Sequence, residues 1–163
     1  MGVKFGLPPI APSNARLFIL GSLPGDQSLA QQRYYAHPTN QFWRLVGRTI
    51  GEEIHRLSYE ERLERLSAHR IGLWDVIASA SRRGSLDQAM REIEHNRVDQ
   101  LLDAYPDVRA IAFNGAAAAT IGRKLFIDAA ADLVMVDLPS SSAANTRSLE
   151  EKARSWTDLA RFL

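Results

Sequence analysis

The chain has 163 residues, 45% of them apolar, a formal net charge of +1 and no cysteine. That size and apolar content fit one globular domain with a substantial buried core, and the missing cysteines exclude a disulfide framework, a thiol nucleophile and a cysteine-held metal. The histidines His37, His55, His69 and His95 lack close ligand spacing, no apolar run approaches the roughly twenty residues of a membrane span, and the first residues lack the apolar core of a signal peptide. A cytoplasmic protein with no metal, no cofactor and no membrane partner is therefore expected. Arg33, Arg44, Arg48, Arg82, Arg83 and Arg147 fall in or beside loops, so the near-neutral total neither requires nor excludes nucleic acid.

In chain order, the segment through Ala15 reads as an irregular lead-in, and Arg16 to Leu20 as a short apolar strand broken by Gly21. A long loop runs to Asn40. Phe42, Leu45, Val46 and Ile50 then recur at helical spacing, and Gly51 ends the run. A second helix fits Ser58 to Ala68, opened by a capping box from Ser58 to Glu61. Ile71 to Ile77 reads as the next strand, Arg82 to Ser85 as a basic turn, and the stretch from Leu86 as helical. Asn96 is placed to cap a further helix that stops at Tyr105-Pro106. Arg109 to Phe113 is the third strand, Asn114-Gly115 a turn, Ala116 to Phe126 an alanine-rich helix, and Leu133 to Val136 the fourth strand. After a second loop, Ser148 to Glu151 forms another capping box. The helix it opens places Trp156, Leu159, Ala160 and Leu163 on one face.

This alternation predicts a mostly parallel sheet with helices on both faces and right-handed crossovers. The ends of all four strands then meet at one edge, where α/β proteins build sites: Gly21 to Pro24, Trp74-Asp75, Asn114-Gly115 and Leu138 to Ser142. The first loop is rich in groups a plain connection does not need. Gly21 and Gly25 allow close backbone approach, Tyr34 and Tyr35 offer flat faces, and Asn40 both donates and accepts without titrating. Asn40 also stands where it would cap the helix from Phe42, so capping and function are both open. Gly25-Asp26-Gln27-Ser28-Leu29 is a weak likeness to the Gly-Asp-Ser-Leu block of small esterases, but a glutamine is interposed and no Asp-x-x-His follows near the C-terminus.

The run Gly21-Ser22-Leu23-Pro24-Gly25 with Tyr34-Tyr35-Ala36-His37-Pro38-Thr39-Asn40-Gln41-Phe42-Trp43 resembles the first motif of the hypoxanthine-DNA glycosylases (DNA-deoxyinosine glycosylases) of the uracil-DNA glycosylase superfamily. Gly72 to Val76, Arg83 to Asp87, Phe113 to Gly115 and Leu138 to Asn145 resemble that family in the same order. The resemblance implies a three-layer α/β/α sandwich around a four-stranded parallel sheet. It also implies chemistry on DNA: a monofunctional, monomeric enzyme, nucleoid-associated in the cytoplasm, that flips out a deaminated base, most of all hypoxanthine, and hydrolyses its N-glycosidic bond. Uracil or xanthine as the base, or a binding module without catalysis, are the other readings.

Carried onto this sequence, the resemblance gives a base slot of Gly21, Ser22, Leu23, Pro24, Tyr35 and Asn114. Tyr35 is the stacking face, with Tyr34 packed beneath it, and Asn114 is the base-edge reader. Relatives that excise uracil have Asp or Asn where this chain has Leu23, which cannot position a water; the resemblance puts catalysis on Asn40, which can orient water and stabilise charge but has no useful basicity. His37 and Asp26 are subsidiary candidates. The last loop supplies the wedge and phosphate contacts through Ser140, Ser141, Ser142, Ala143, Asn145 and Arg147, with Arg82 and Arg83 as further phosphate contacts. The family pattern has threonine at Ser141 and a second proline at Ala143, so this loop is expected to be less rigid.

Overall fold

The computed structural model describes residues 2–129 and 131–163. Four parallel strands form the central sheet: β2 (Leu17–Gly21), β3 (Ile71–Asp75), β6 (Ala110–Asn114) and β7 (Val134–Leu138), in the order β3-β2-β6-β7. Strand period two divides the core. Leu17, Ile19, Ala110 and Ala112 face one side, and Phe18, Leu20, Ile111 and Phe113 face the other. Against the first side pack α2 (Phe42–Ile50), α3 (Tyr59–Ala68) and α6 (Leu149–Trp156) through Phe42, Leu45, Leu66 and Trp156. Against the second pack α4 (Leu101–Ala104) and α5 (Ala116–Leu125) through Leu101, Ala118 and Ala119. The expected three-layer sandwich is thus present. All four strands are parallel, so their C-terminal ends share one edge.

The capping boxes form as read: Ser58 Oγ accepts from Glu61 N–H and Ser148 Oγ from Glu151 N–H, each at 3.2 Å. Gly51 closes α2 at φ +74°. Other expectations are corrected. The lead-in contains β1 (Val3–Phe5) and a bridge from Ile10 to Leu73. The strand read as Ile71 to Ile77 is two strands, because after Val76 the chain leaves the central sheet as β4 (Ile77–Ser81). The stretch from Leu86 is not a helix but a 3₁₀ turn, Asp87–Ala89, followed by the fully exposed edge strand β5 (Arg91–His95). It has too few apolar residues for a buried helical face, and pairing with β4 decides its form. β1, β4 and β5 make a small antiparallel sheet in the order β1-β4-β5.

Asn96 caps no helix. Its Nδ2 donates to the carbonyls of Asp75 and Ile77, at 2.8 and 3.2 Å, across the β3–β4 junction. The long first loop holds a short helix, α1 (Asp26–Gln31). At the C-terminus α6 tightens into a 3₁₀ helix over Thr157–Phe162. In that geometry residues three apart eclipse, so Trp156, Leu159 and Phe162 are buried and Ala160 is exposed.

Candidate functional site

The first loop leaves β2 at Gly21 and is held tightly. A Cβ on Gly21 would lie 2.6 Å from Asp75 Oδ1 and 3.1 Å from Tyr35 Oη, so only glycine lets these two oxygens crowd the strand end. Ser22 Oγ donates to Asp87 Oδ1 at 2.6 Å, and the Pro24 carbonyl accepts from Arg82 Nη2. The Leu23 side chain is buried in the core beside Val76, Ile77, Ala80 and Met90. It is therefore not available to a bound group. Arg82 is 1% exposed, so it braces the loop from beneath and does not reach phosphate; its Nε and Nη1 find no partner among the described residues.

Tyr35 occupies the left-handed region at φ +53°, a strained place for a bulky residue. What fixes it is packing. Its ring lies flat on Phe42 with centroids 3.9 Å apart, and its carbonyl accepts from Trp43 Nε1 at 3.1 Å. Tyr34 packs beneath, fully buried, with its hydroxyl on the Pro8 carbonyl at 2.7 Å. Ser28 is also buried, and its Oγ accepts from Ala36 N–H at 3.0 Å. It is a brace for the tyrosine turn and no exposed nucleophile, which removes the esterase reading.

Asn40 stands one residue before Gln41, the N-cap of α2, and so is not the cap: its Oδ1 accepts from Phe42 N–H at 2.9 Å in a turn that leads into the helix. That bond fixes the amide plane, and no described residue takes its Nδ2. The turn and a functional role are therefore compatible in one side chain. His37 is exposed and takes Thr39 N–H on Nδ1 at 3.1 Å, a turn-forming role. Asp26 is exposed and paired with Lys4.

The second loop meets the first through buried contacts. Gln41 N–H donates to the Ser141 carbonyl at 2.9 Å. Asn114, at the end of β6, donates from Nδ2 to Ser141 Oγ and accepts Ser141 N–H on Oδ1, both at 2.9 Å. Asn114 and Ser141 are both buried, so Ser141 fastens the loop to the sheet and does not face outward. Ser140 Oγ accepts from Ser142 N–H, Ser142 Oγ from Ala144 N–H and Asn145 Oδ1 from Arg147 N–H, which folds the loop into consecutive turns. The two serine hydroxyls keep their own protons to donate. Ala143, Ala144 and Arg147 are exposed.

Two groups that carry weight here were not assigned a role from sequence. Lys152, on α6, is completely buried, and Nζ donates to Gln41 Oε1 at 2.8 Å and to the Ser142 carbonyl at 3.2 Å. Burial pushes its pKa down. Its position was legible, since it falls between Leu149 and Trp156 on the apolar stripe of α6. Asp75 is 3% exposed, and its Oδ2 and the Tyr35 hydroxyl both lack partners among the described residues. Burial, then the Asp87 charge, raise the Asp75 carboxyl to about 7, against the opposing pull of Arg82 and the Gly21 N–H. The same burial pushes the Tyr35 hydroxyl up, so it stays protonated.

The strand ends and the loops that leave them thus carry a fixed aromatic face, an asparagine whose N–H₂ no described residue takes, a hydroxyl-bearing loop and a carboxyl raised to about 7. Such a set can stack on a planar ring, orient a water and hold phosphate, with no carboxylate in the first turn to act as a base. A separate cleft of about 600 Å³ opens at the other, N-terminal edge of the sheet between Arg16, Tyr105, Asp107, Arg109 and Asp132. It contains none of these residues.

Residues 8–160 match the family model described as the uracil DNA glycosylase superfamily. The chain belongs to that superfamily. Among its relatives, a protein of Methanosarcina barkeri named hypoxanthine DNA glycosylase is 40% identical over 95% of this chain and 96% of its own length. Another of the same name from Methanosarcina acetivorans is 41% identical over 94% of this chain and 96% of its own. A solution NMR structure described as a candidate uracil DNA glycosylase from Methanosarcina acetivorans superposes with a TM-score of 0.87 at 39% identity, covering 98% of both chains. The superfamily fold, expected from the motifs, is therefore the fold of this chain.

Proposed function

We propose that this protein is a monofunctional DNA glycosylase that hydrolyses the N-glycosidic bond of hypoxanthine in DNA, in base excision repair. The observation that carries this reading is Asn40: its bond to Phe42 N–H locks the amide plane, while no described residue takes its Nδ2. The flipped base stacks on Tyr35 above Gly21, and the C1′–N9 bond breaks with its electron pair leaving on the base. Water, oriented by the Asn40 amide, then adds to C1′. Leu23 offers no polar side chain to the water, so departure of the base dominates the barrier. Asn114 gives one N–H and one lone pair to Ser141, which holds the last loop in register, and its second N–H reads the base edge. Ser140 and Ser142 hydroxyl protons, Arg83 and Arg147 take the flanking phosphates, with Ala143 and Asn145 at the duplex.

The protein acts as a monomer of one domain, on DNA in the nucleoid. No helix among the described residues is long and apolar enough to cross a membrane. The test is excision from oligonucleotides containing deoxyinosine, deoxyuridine or deoxyxanthosine, read by alkaline cleavage of the abasic sites. Cutting at deoxyinosine first is the expected result. Preference for either other base would reassign the substrate, and cutting at none of the three would leave a binding module.

A further inference from the structure

We propose that Leu86 is a wedge that enters the DNA base stack beside the flipped nucleotide, from the rim opposite the last loop. This rests on the glycosylase reading and assigns a residue to the opening of the duplex. Leu86 is 58% exposed, in the connection between β4 and β5. Both its neighbours are fastened to the base-slot loop: Ser85 Oγ accepts from Asp26 N–H at 2.9 Å, and Asp87 Oδ1 accepts from Ser22 Oγ at 2.6 Å. The same turn is held from its other side by Lys4 Nζ on the Gly84 carbonyl, at 2.6 Å. The bonds on both flanks hold the Leu86 backbone next to the slot loop, with its side chain turned to the outside.

The other exposed large apolar residues lack this placement. Val3 and Phe5 alternate with Lys4 on β1, and Lys4 points to the slot loop, so they face away from it. Ile93 is on the outer strand β5, while Ile127 and Val134 lie toward the N-terminal edge of the sheet. The last loop, for its part, exposes Ala143 and Ala144 as its apolar residues, and neither has the bulk of the Phe, Leu, Ile, Met or Pro wedges that part base steps. The charges agree with duplex DNA as the occupant. Arg83 is exposed three residues before Leu86, and the Asp26 carboxylate is paired with Lys4.

The experiment compares single-turnover excision from a duplex and from the same lesion strand alone. Leu86→Ala is expected to slow excision from the duplex about tenfold or more and to leave the single strand within about twofold, since only the duplex needs its stack held open. Leu86→Met, which keeps the bulk, should restore the duplex rate. 2-Aminopurine placed beside the lesion should brighten with the wild-type protein and stay dark with Leu86→Ala. Equal losses on both substrates, or no loss on either, would overturn the wedge. If the wild-type protein excises from neither substrate, the glycosylase reading falls, and the 2-aminopurine signal alone still decides whether Leu86 enters the stack.

Discussion

Replacing Asp75 by asparagine tests the buried carboxyl beneath the slot. An exposed aspartate titrates near 3.9, whereas burial and the Asp87 charge hold Asp75 at about 7. A raised folded-state pKa has a definite sign. Below pH ~4 the group is protonated in folded and unfolded chains alike, and folding bears no ionisation cost. As pH rises toward 7 the unfolded chain releases this proton while the folded chain retains it, so stability falls. Above 7 the full loss applies, about three pKa steps or ~4 kcal/mol, of which ~3 kcal/mol accrues between pH 5 and pH 8. The asparagine side chain has the same shape and does not ionise. Urea unfolding at pH 5 and pH 8 should therefore show the wild-type protein losing ~3 kcal/mol more than Asp75→Asn across that interval, with other titrations cancelling between the two proteins. Parallel pH slopes would refute the burial argument. A variant less stable than wild type at pH 8 but not at pH 5 would mean that the carboxylate is ionised and paired with Arg82.

Asn40 has two duties that substitution can separate. Asn40→Asp keeps the oxygen that takes Phe42 N–H and should hold stability within about 0.5 kcal/mol while removing most excision, whereas Asn40→Ala should lose ~1 kcal/mol as well; wild-type turnover in either would refute the catalytic assignment. Lys152→Met removes a buried charge and also the bridge that joins Gln41 Oε1 to the last loop, so urea stability should move by less than about 1 kcal/mol while single-turnover excision drops ~10²-fold. Unchanged excision would show that the tie is dispensable. Ser141→Ala strips the acceptor from buried Asn114 Nδ2 and should cost ~1–2 kcal/mol in urea unfolding, with no effect expected if water already serves that group.

The parallel sheet was legible because β2 and β6 are unbroken apolar runs that each end in a glycine-marked turn, and because β-strand and helix periods alternate between them. The small antiparallel sheet was not. β5 is a charged, fully exposed strand whose form comes from pairing with β4, and local pattern has no access to such a partner. Within the site, the motif residues around Asn40 and Tyr35 stood out by composition. The bonds that occupy Asn114 and enclose Ser141, and the burial of Arg82, depend on contacts between segments far apart in the chain. Lys152 was visible as a lysine on an apolar stripe, but its meaning required the two loops it joins.

That lysine also places the site late in folding. Gln41 and Lys152 are 111 residues apart, and α6 is docked further by Thr49 Oγ1 on the Trp156 carbonyl and by Trp156 Nε1 on the Pro139 carbonyl. Contacts of such separation close only after the intervening strands have paired. A chain whose last helix has detached keeps the Gln41–Ser141 and Asn114–Ser141 bonds but loses the lysine tie and the Trp156 anchor that complete the joint between its two loops. Release of the base is thereby reserved for the completed molecule.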